Sequence, residues 1–172
     1  EVGPKSGDNV RIGKVGGEGA EAEVGGVAKL AKEGRAQRLG GVGGGRTWET
    51  AKLAAAGRKL PARIAPTSAS TDAPTGAMGV LYKETGEHVR AVCLPHSAEL
   101  VLVDSAIIAA APLRLLIAGS GDALSPYFAA RANAASDTAH YIGRGHRRSL
   151  AGLAVAQKSY LPLLEVAFNA TT

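Results

Sequence analysis

The run Gly43-Gly44-Gly45, followed by Arg46 and Thr47, places three residues without side chains at the point where a helix could begin. Glycines let the backbone approach a ligand closely, and N–H groups at a helix start carry partial positive charge, so a diphosphate fits such a turn. A plain strand-to-helix connection fits it too. The run is neither G-x-G-x-x-G with a distant acid nor G-x-x-x-x-G-K-[ST]. Asp122, just ahead of ALSPYFAARA, has the position of a helix N-cap. Among the histidines, His140 and His146 are six residues apart, about 120° out of alignment on a helix. The intervening IGRG reads as loop, and His88 and His96 read as surface imidazoles. The single Cys93 excludes an intramolecular disulfide; within AVCLP it reads as a buried structural thiol rather than a nucleophile. That usage fits a reducing compartment, the cytoplasm or an organelle matrix.

These residues need elements to hold them. Residues 21–34, EAEVGGVAKLAKEG, recur at helical spacing through Val24, Val27, Leu30 and Ala31, weakened by Gly25 and Gly26 and stopped at Gly34. A short strand is expected in AQRLGGVGGG, although Arg35, Gln37 and Arg38 are poor residues for a buried parallel strand. Thr47 reads as the N-cap of the helix TWETAKLAAAGRKL, which should end at Gly57. MGVLYK and VRAVCLP flank ETGE, the pattern of a β-hairpin. ELVLVD is a continuous apolar run, read as a strand buried on both faces. SAIIAAAPLRLLIAGSGDAL then reads as a short helix, a proline interruption, another helical turn, and a glycine-bounded turn ending at Asp122. Residues 123–135 and 149–167 are helical in pattern.

A chain of 172 residues with few aromatics and much Ala, Val and Leu suits helices layered closely on a sheet, which makes the fold class α/β. The charge is +5, and GRGHRR is the one basic cluster. No aromatics interleave it, so it reads as a solvated loop rather than a nucleic-acid surface. Pro112 and Arg114 interrupt the longest apolar run, so no membrane insertion is expected.

Four segments change the reading of the glycine turn. VGGGRT, APTSASTDAPTGAMGVLY, the LPHSAELVLVD strand and APLRLLIAGSGDAL occur in that order over roughly residues 40–131. Together they resemble the glycerol dehydrogenase branch of the iron- or zinc-dependent polyol dehydrogenase superfamily. The resemblance implies an NAD-dependent oxidoreductase acting on glycerol or a similar vicinal diol. In such an enzyme zinc or iron polarises a substrate hydroxyl, and hydride passes to the nicotinamide. It implies that Gly43, Gly44, Gly45 and Thr47 contact the pyrophosphate of NAD, with Thr67 and Ser70 further along the cofactor and Tyr82 at the nicotinamide edge. Asp72 would be the catalytic-site carboxylate beside the substrate hydroxyls, and Asp122 the metal ligand.

Departures accompany the match. The lysine that the family places in its glycine turn is Arg46, and the serine after its DAP segment is Gly76. The family completes its metal site with two histidines from later helices, which this chain is expected to lack, and its first strands are expected to be missing too. The resulting expectation is a partial Rossmann-like dinucleotide-binding domain over residues 8–118 and the start of a helical metal-binding domain over 119–172. Other protein subunits are expected as partners. The alternative reading is a truncated, catalytically silent homologue serving as a structural or interaction subunit of a larger assembly.

Overall fold

The computed structural model describes residues 9–17, 19–136, 138–139 and 147–171. His140 and His146, and most of GRGHRR, lie outside them. The chain forms α1 (Glu21–Glu33), β1 (Leu39–Gly43), α2 (Gly45–Arg58), β2 (Ala62–Pro66), a 3₁₀ turn (Ala73–Thr75), β3 (Met78–Tyr82) and β4 (His88–Cys93). There follow β5 (Leu100–Val101), α3 (Ser105–Ala110), α4 (Leu113–Ser136) and α5 (Leu150–Thr171).

β1, α2 and β2 make a parallel strand-helix-strand unit, with Leu39 opposite Ala62 and Gly43 opposite Pro66. β5 joins the far side of β2 through Arg63–Leu100 and Ile64–Val101, giving the order β1-β2-β5. β3 and β4 form a separate antiparallel hairpin. This is the α/β class that the sequence suggests: part of a Rossmann-like layer, followed by helices.

The core sits between α2 and the parallel sheet. Trp48, Ala51 and Ile64 are buried against one another, with Ala98 and Val101 packed beside them. Small residues allow the close approach: a Cβ at Gly41 would lie 2.8 Å from the Cβ of Ala51. Burying Trp48 and Ile64 contributes roughly 2–3 kcal/mol each, and so holds α2 on β1 and β2.

Several expectations are corrected. β1 begins only at Leu39, after the polar residues, and Arg63 in β2 stays exposed by donating to Glu99 at 3.1 Å. The N-cap of α2 is Gly44, in extended conformation, and Thr47 lies inside the first turn; the helix ends at Arg58 with Lys59 left-handed, one residue beyond Gly57. β5 is two residues long, and Leu102 and Val103 are each 61% exposed, because among the described residues no strand lies beyond them. Asp104, at the end of that run, caps α3 by accepting from the N–H groups of Ala106 and Ile107. Cys93 is exposed on the hairpin.

The largest correction concerns α4, which runs unbroken through Gly119, Gly121, Asp122 and Pro126. Asp122 therefore caps nothing. Pro126 has no N–H to offer the Asp122 carbonyl, and the Ser125 hydroxyl donates to it instead at 2.9 Å, which lets the helix continue. No helix among the described residues is long and apolar enough to cross a membrane.

Candidate functional site

The glycine turn lies at the carboxyl end of β1 and opens α2. Gly43 has φ +146°, a conformation reserved for glycine, while Gly44 is extended with φ −89°. Its neighbours hold the turn open. The Gly43 carbonyl accepts from the Thr67 N–H at 3.0 Å and from the Trp48 indole N–H. A Cβ on Gly43 would press on the Thr47 hydroxyl, whereas one on Gly44 would meet no protein atom within 4 Å. α2 has no side-chain cap, so its first turn presents backbone N–H groups beside this open space. The residues present fit a diphosphate.

Thr67 begins the loop that leaves β2, and the loop lies against the turn: a Cβ on Gly45 would be 3.9 Å from Thr71 Cγ2. Within it the hydroxyls of Ser68 and Ser70 are 3.3 Å apart. Asp72 follows, and its backbone N–H donates to Asp122 Oδ2 at 3.0 Å, across fifty residues of chain. Burial, then the Asp122 carboxylate, push the Asp72 carboxyl above its ordinary range, against an opposing pull from Lys52. Two carboxyl groups thus face one another at the mouth of the glycine turn.

Tyr82 reaches the same region from the hairpin. The Arg46 guanidinium lies 5.0 Å from its ring centroid, and the His88 ring meets it edge-on at 6.3 Å. Burial and the Glu49 carboxylate raise the Tyr82 phenol, while Arg46 pulls it down. Arg46 also donates to the Gly17 carbonyl at 3.3 Å. The arginine in the family's lysine position is therefore engaged with the hairpin and the loop before α1.

Every proposed site residue is accordingly placed. Gly43, Gly44, Gly45, Thr47, Thr67, Ser70, Asp72 and Asp122 come together around the carboxyl ends of β1 and β2, with Tyr82 attached through Arg46. Of the described histidines, His88 reaches only the Tyr82 ring, and both His88 and His96 are exposed. Among the described residues there is no cluster of three His, Cys, Asp or Glu able to hold a metal. A catalytic zinc takes three protein ligands, so the described donors do not complete a metal centre.

Sequence reasoning missed Lys52. It is 2% exposed, and its ammonium donates to the carbonyls of Ala73 at 2.7 Å and Gly76 at 3.2 Å. A lysine flanked by Ala51, Leu53, Ala54 and Ala55 was the available signal, since a charge inside an apolar helix needs a partner.

Comparison with known proteins identifies the family. Residues 5–105 match the family model described as iron-containing alcohol dehydrogenase. The chain is 47% identical over 127 residues to glycerol dehydrogenase of Pseudomonas putida, covering 74% of this chain and 35% of that protein. It is 42% identical over 156 residues to glycerol dehydrogenase of Escherichia coli O6:H1, covering 91% of this chain and 42% of that one. Its fold superimposes on a probable glycerol dehydrogenase from Sinorhizobium meliloti 1021 with a TM-score of 0.88 at 44% identity, over 95% of this chain and 46% of the other. The chain thus spans less than half the length of these relatives. With the family match, the glycine turn and the motif order all in agreement, the chain belongs to the iron-containing alcohol dehydrogenase family.

Proposed function

We propose that this chain carries the cofactor turn and the diol-facing carboxylate of an NAD-dependent polyol dehydrogenase, acting on glycerol or a similar vicinal diol. The observation that carries the reading is the meeting of Asp72 and Asp122 beside the open glycine turn. In this reading NAD, when bound, supplies the hydride acceptor. The N–H groups of the Gly43–Gly45 turn hold its pyrophosphate, with Thr47, Thr67 and Ser70 flanking it and Tyr82 at the nicotinamide edge. Asp72 accepts hydrogen bonds from adjacent hydroxyls of the diol and so orients it. Asp122 is the one described residue assigned to the metal, zinc or iron, and the remaining ligands are not supplied by the described residues. The division at residue 118 belongs to the same proposal, with α4 carrying the chain from the nucleotide-binding unit into the helical one.

Trp48 is the only tryptophan, and its indole contacts Gly43. Titrating NADH while exciting Trp48 should quench its emission saturably, with energy transfer to the nicotinamide. Emission that stays unchanged up to millimolar NADH sinks the reading. It would favour the second one, an interaction subunit, for which the exposed Leu100, Leu102 and Val103 speak. The 172-residue chain by itself is expected to oxidise no glycerol with NAD and zinc in excess, because its described donors leave the metal site incomplete.

A further inference from the structure

The contact between Asp72 and Asp122 depends on how closely α4 lies on the loop leaving β2. At Gly119 the two backbones come into direct contact. A Cβ built there would fall 1.9 Å from the Ala69 carbonyl oxygen, 2.8 Å from the Ala69 carbonyl carbon and 3.1 Å from that of Ser70. The obstacle is backbone, which cannot swing aside as a flexible side chain can. The loop and the helix then advance in step. Three residues beyond Ala69 is Asp72, and three residues beyond Gly119, about 4.5 Å along the axis and on the same face, is Asp122. Gly121 is different: a Cβ there would meet nothing within 4 Å.

We propose that Gly119 is a positioning residue, which acts by seating α4 on the Ala69–Ser70 backbone so that the Asp122 carboxylate reaches the Asp72 N–H. Its functional meaning rests on the polyol dehydrogenase reading. There the contact sets how near the diol-facing carboxylate of Asp72 lies to the metal-side carboxylate of Asp122. Any side chain at 119 lifts the helix and breaks the relation, while the glycine turn, whose loop neighbour is Thr71 rather than Ala69, is left as it was.

The test compares Gly119→Ala with Gly121→Ala in the 172-residue chain labelled with ¹⁵N. Both changes install the better helix former in the same helix, so helix propensity is matched and only the contact differs. The Asp72 amide is the reporter, because its N–H donates to a carboxylate. Gly119→Ala should remove the downfield shift of that amide and speed its hydrogen exchange about tenfold, the loss expected for a hydrogen bond to a charged acceptor. Gly121→Ala should leave both as in the parent. The double variant Gly119→Ala/Asp122→Glu should restore the signature, since the added methylene replaces the lost reach; a merely structural glycine would show no such rescue.

An Asp72 amide unmoved by Gly119→Ala overturns the proposal. Global loss of amide dispersion in that variant also overturns it, in favour of general packing. Trp48 emission with NADH as the probe is recorded on the parent in parallel. Its failure to respond counts against the NAD reading alone, because the Asp72 amide still decides the role of Gly119.

Discussion

Lys52 and Ala73 are joined by a hydrogen bond of 2.7 Å from ammonium to carbonyl, so a buried side chain of the helix that opens at the glycine turn holds the residue next to Asp72. A second bond to Gly76 closes the clamp across the 3₁₀ turn. The helix that opens at the glycine turn and the loop that carries Asp72 are thereby one mechanical unit. Lys52→Met keeps the length and removes the charge, leaving two carbonyls short of a donor and Glu49 without the cation that most offsets its burial. A loss of about 3 kcal/mol in unfolding free energy is expected. Urea denaturation reads it, and a change below about 1 kcal/mol would show that the clamp contributes little.

Glu49 predicts a pH dependence. Burial raises its carboxyl above the ordinary 4.5, opposed by Lys52, by a hydrogen bond from the Val80 backbone and by Arg46. Between 4.5 and the raised value the folded chain keeps a proton that the unfolded chain has released, so this group's contribution to stability falls as pH rises through that window. Glu49→Gln should remove the fall. Its urea midpoint relative to the parent should therefore climb as pH increases from 4.5, and a difference that stays flat would contradict the assignment. Lys52 has the opposite sense: burial lowers it from 10.5, so stability rises with pH between its lowered value and 10.5. Lys52→Met should lose that rise.

Gly44 separates ligand binding from folding. Its φ of −89° suits any residue, and a Cβ there meets no protein atom within 4 Å. Gly44→Val should fold with an unchanged thermal midpoint while filling the space offered to the pyrophosphate. NADH affinity should drop roughly 100-fold by Trp48 quenching. Equal affinity in the variant would remove the phosphate from this turn.

Thr50 is 1% exposed, and its hydroxyl has no hydrogen-bond partner among the described residues. A buried hydroxyl without a partner costs free energy that an apolar group of the same shape does not. Thr50→Val should raise stability by about 1 kcal/mol in calorimetry or urea unfolding. A destabilised variant would mean that the hydroxyl has a partner after all.

Local chemistry made part of this protein legible in its sequence. The glycine turn, the helix after it, the 78–93 hairpin and the end of α1 at Gly34 follow from backbone preferences that operate within a few residues, and each lies close to where the pattern puts it. Motif order carried the family, because the spacing of GGG, STDAP and GDAL survives in one chain without reference to its folding. Tertiary structure decided the rest. Pro126 and the glycines around Asp122 are local breakers, yet packing and the Ser125 hydroxyl keep α4 whole, and Asp122 is turned from an expected cap into a partner of Asp72. Lys52 finds its acceptors 21 and 24 residues away, a pairing that no window of the sequence contains. ELVLVD reads as a buried strand because its pattern is apolar, but burial is a property of what lies alongside: Glu99 and Leu102 donate to β2 carbonyls, yet Leu102 and Val103 stay exposed. The meaning of Gly119 is likewise invisible until the fold brings Ala69 to it, since a missing side chain has significance only where another chain segment occupies its space.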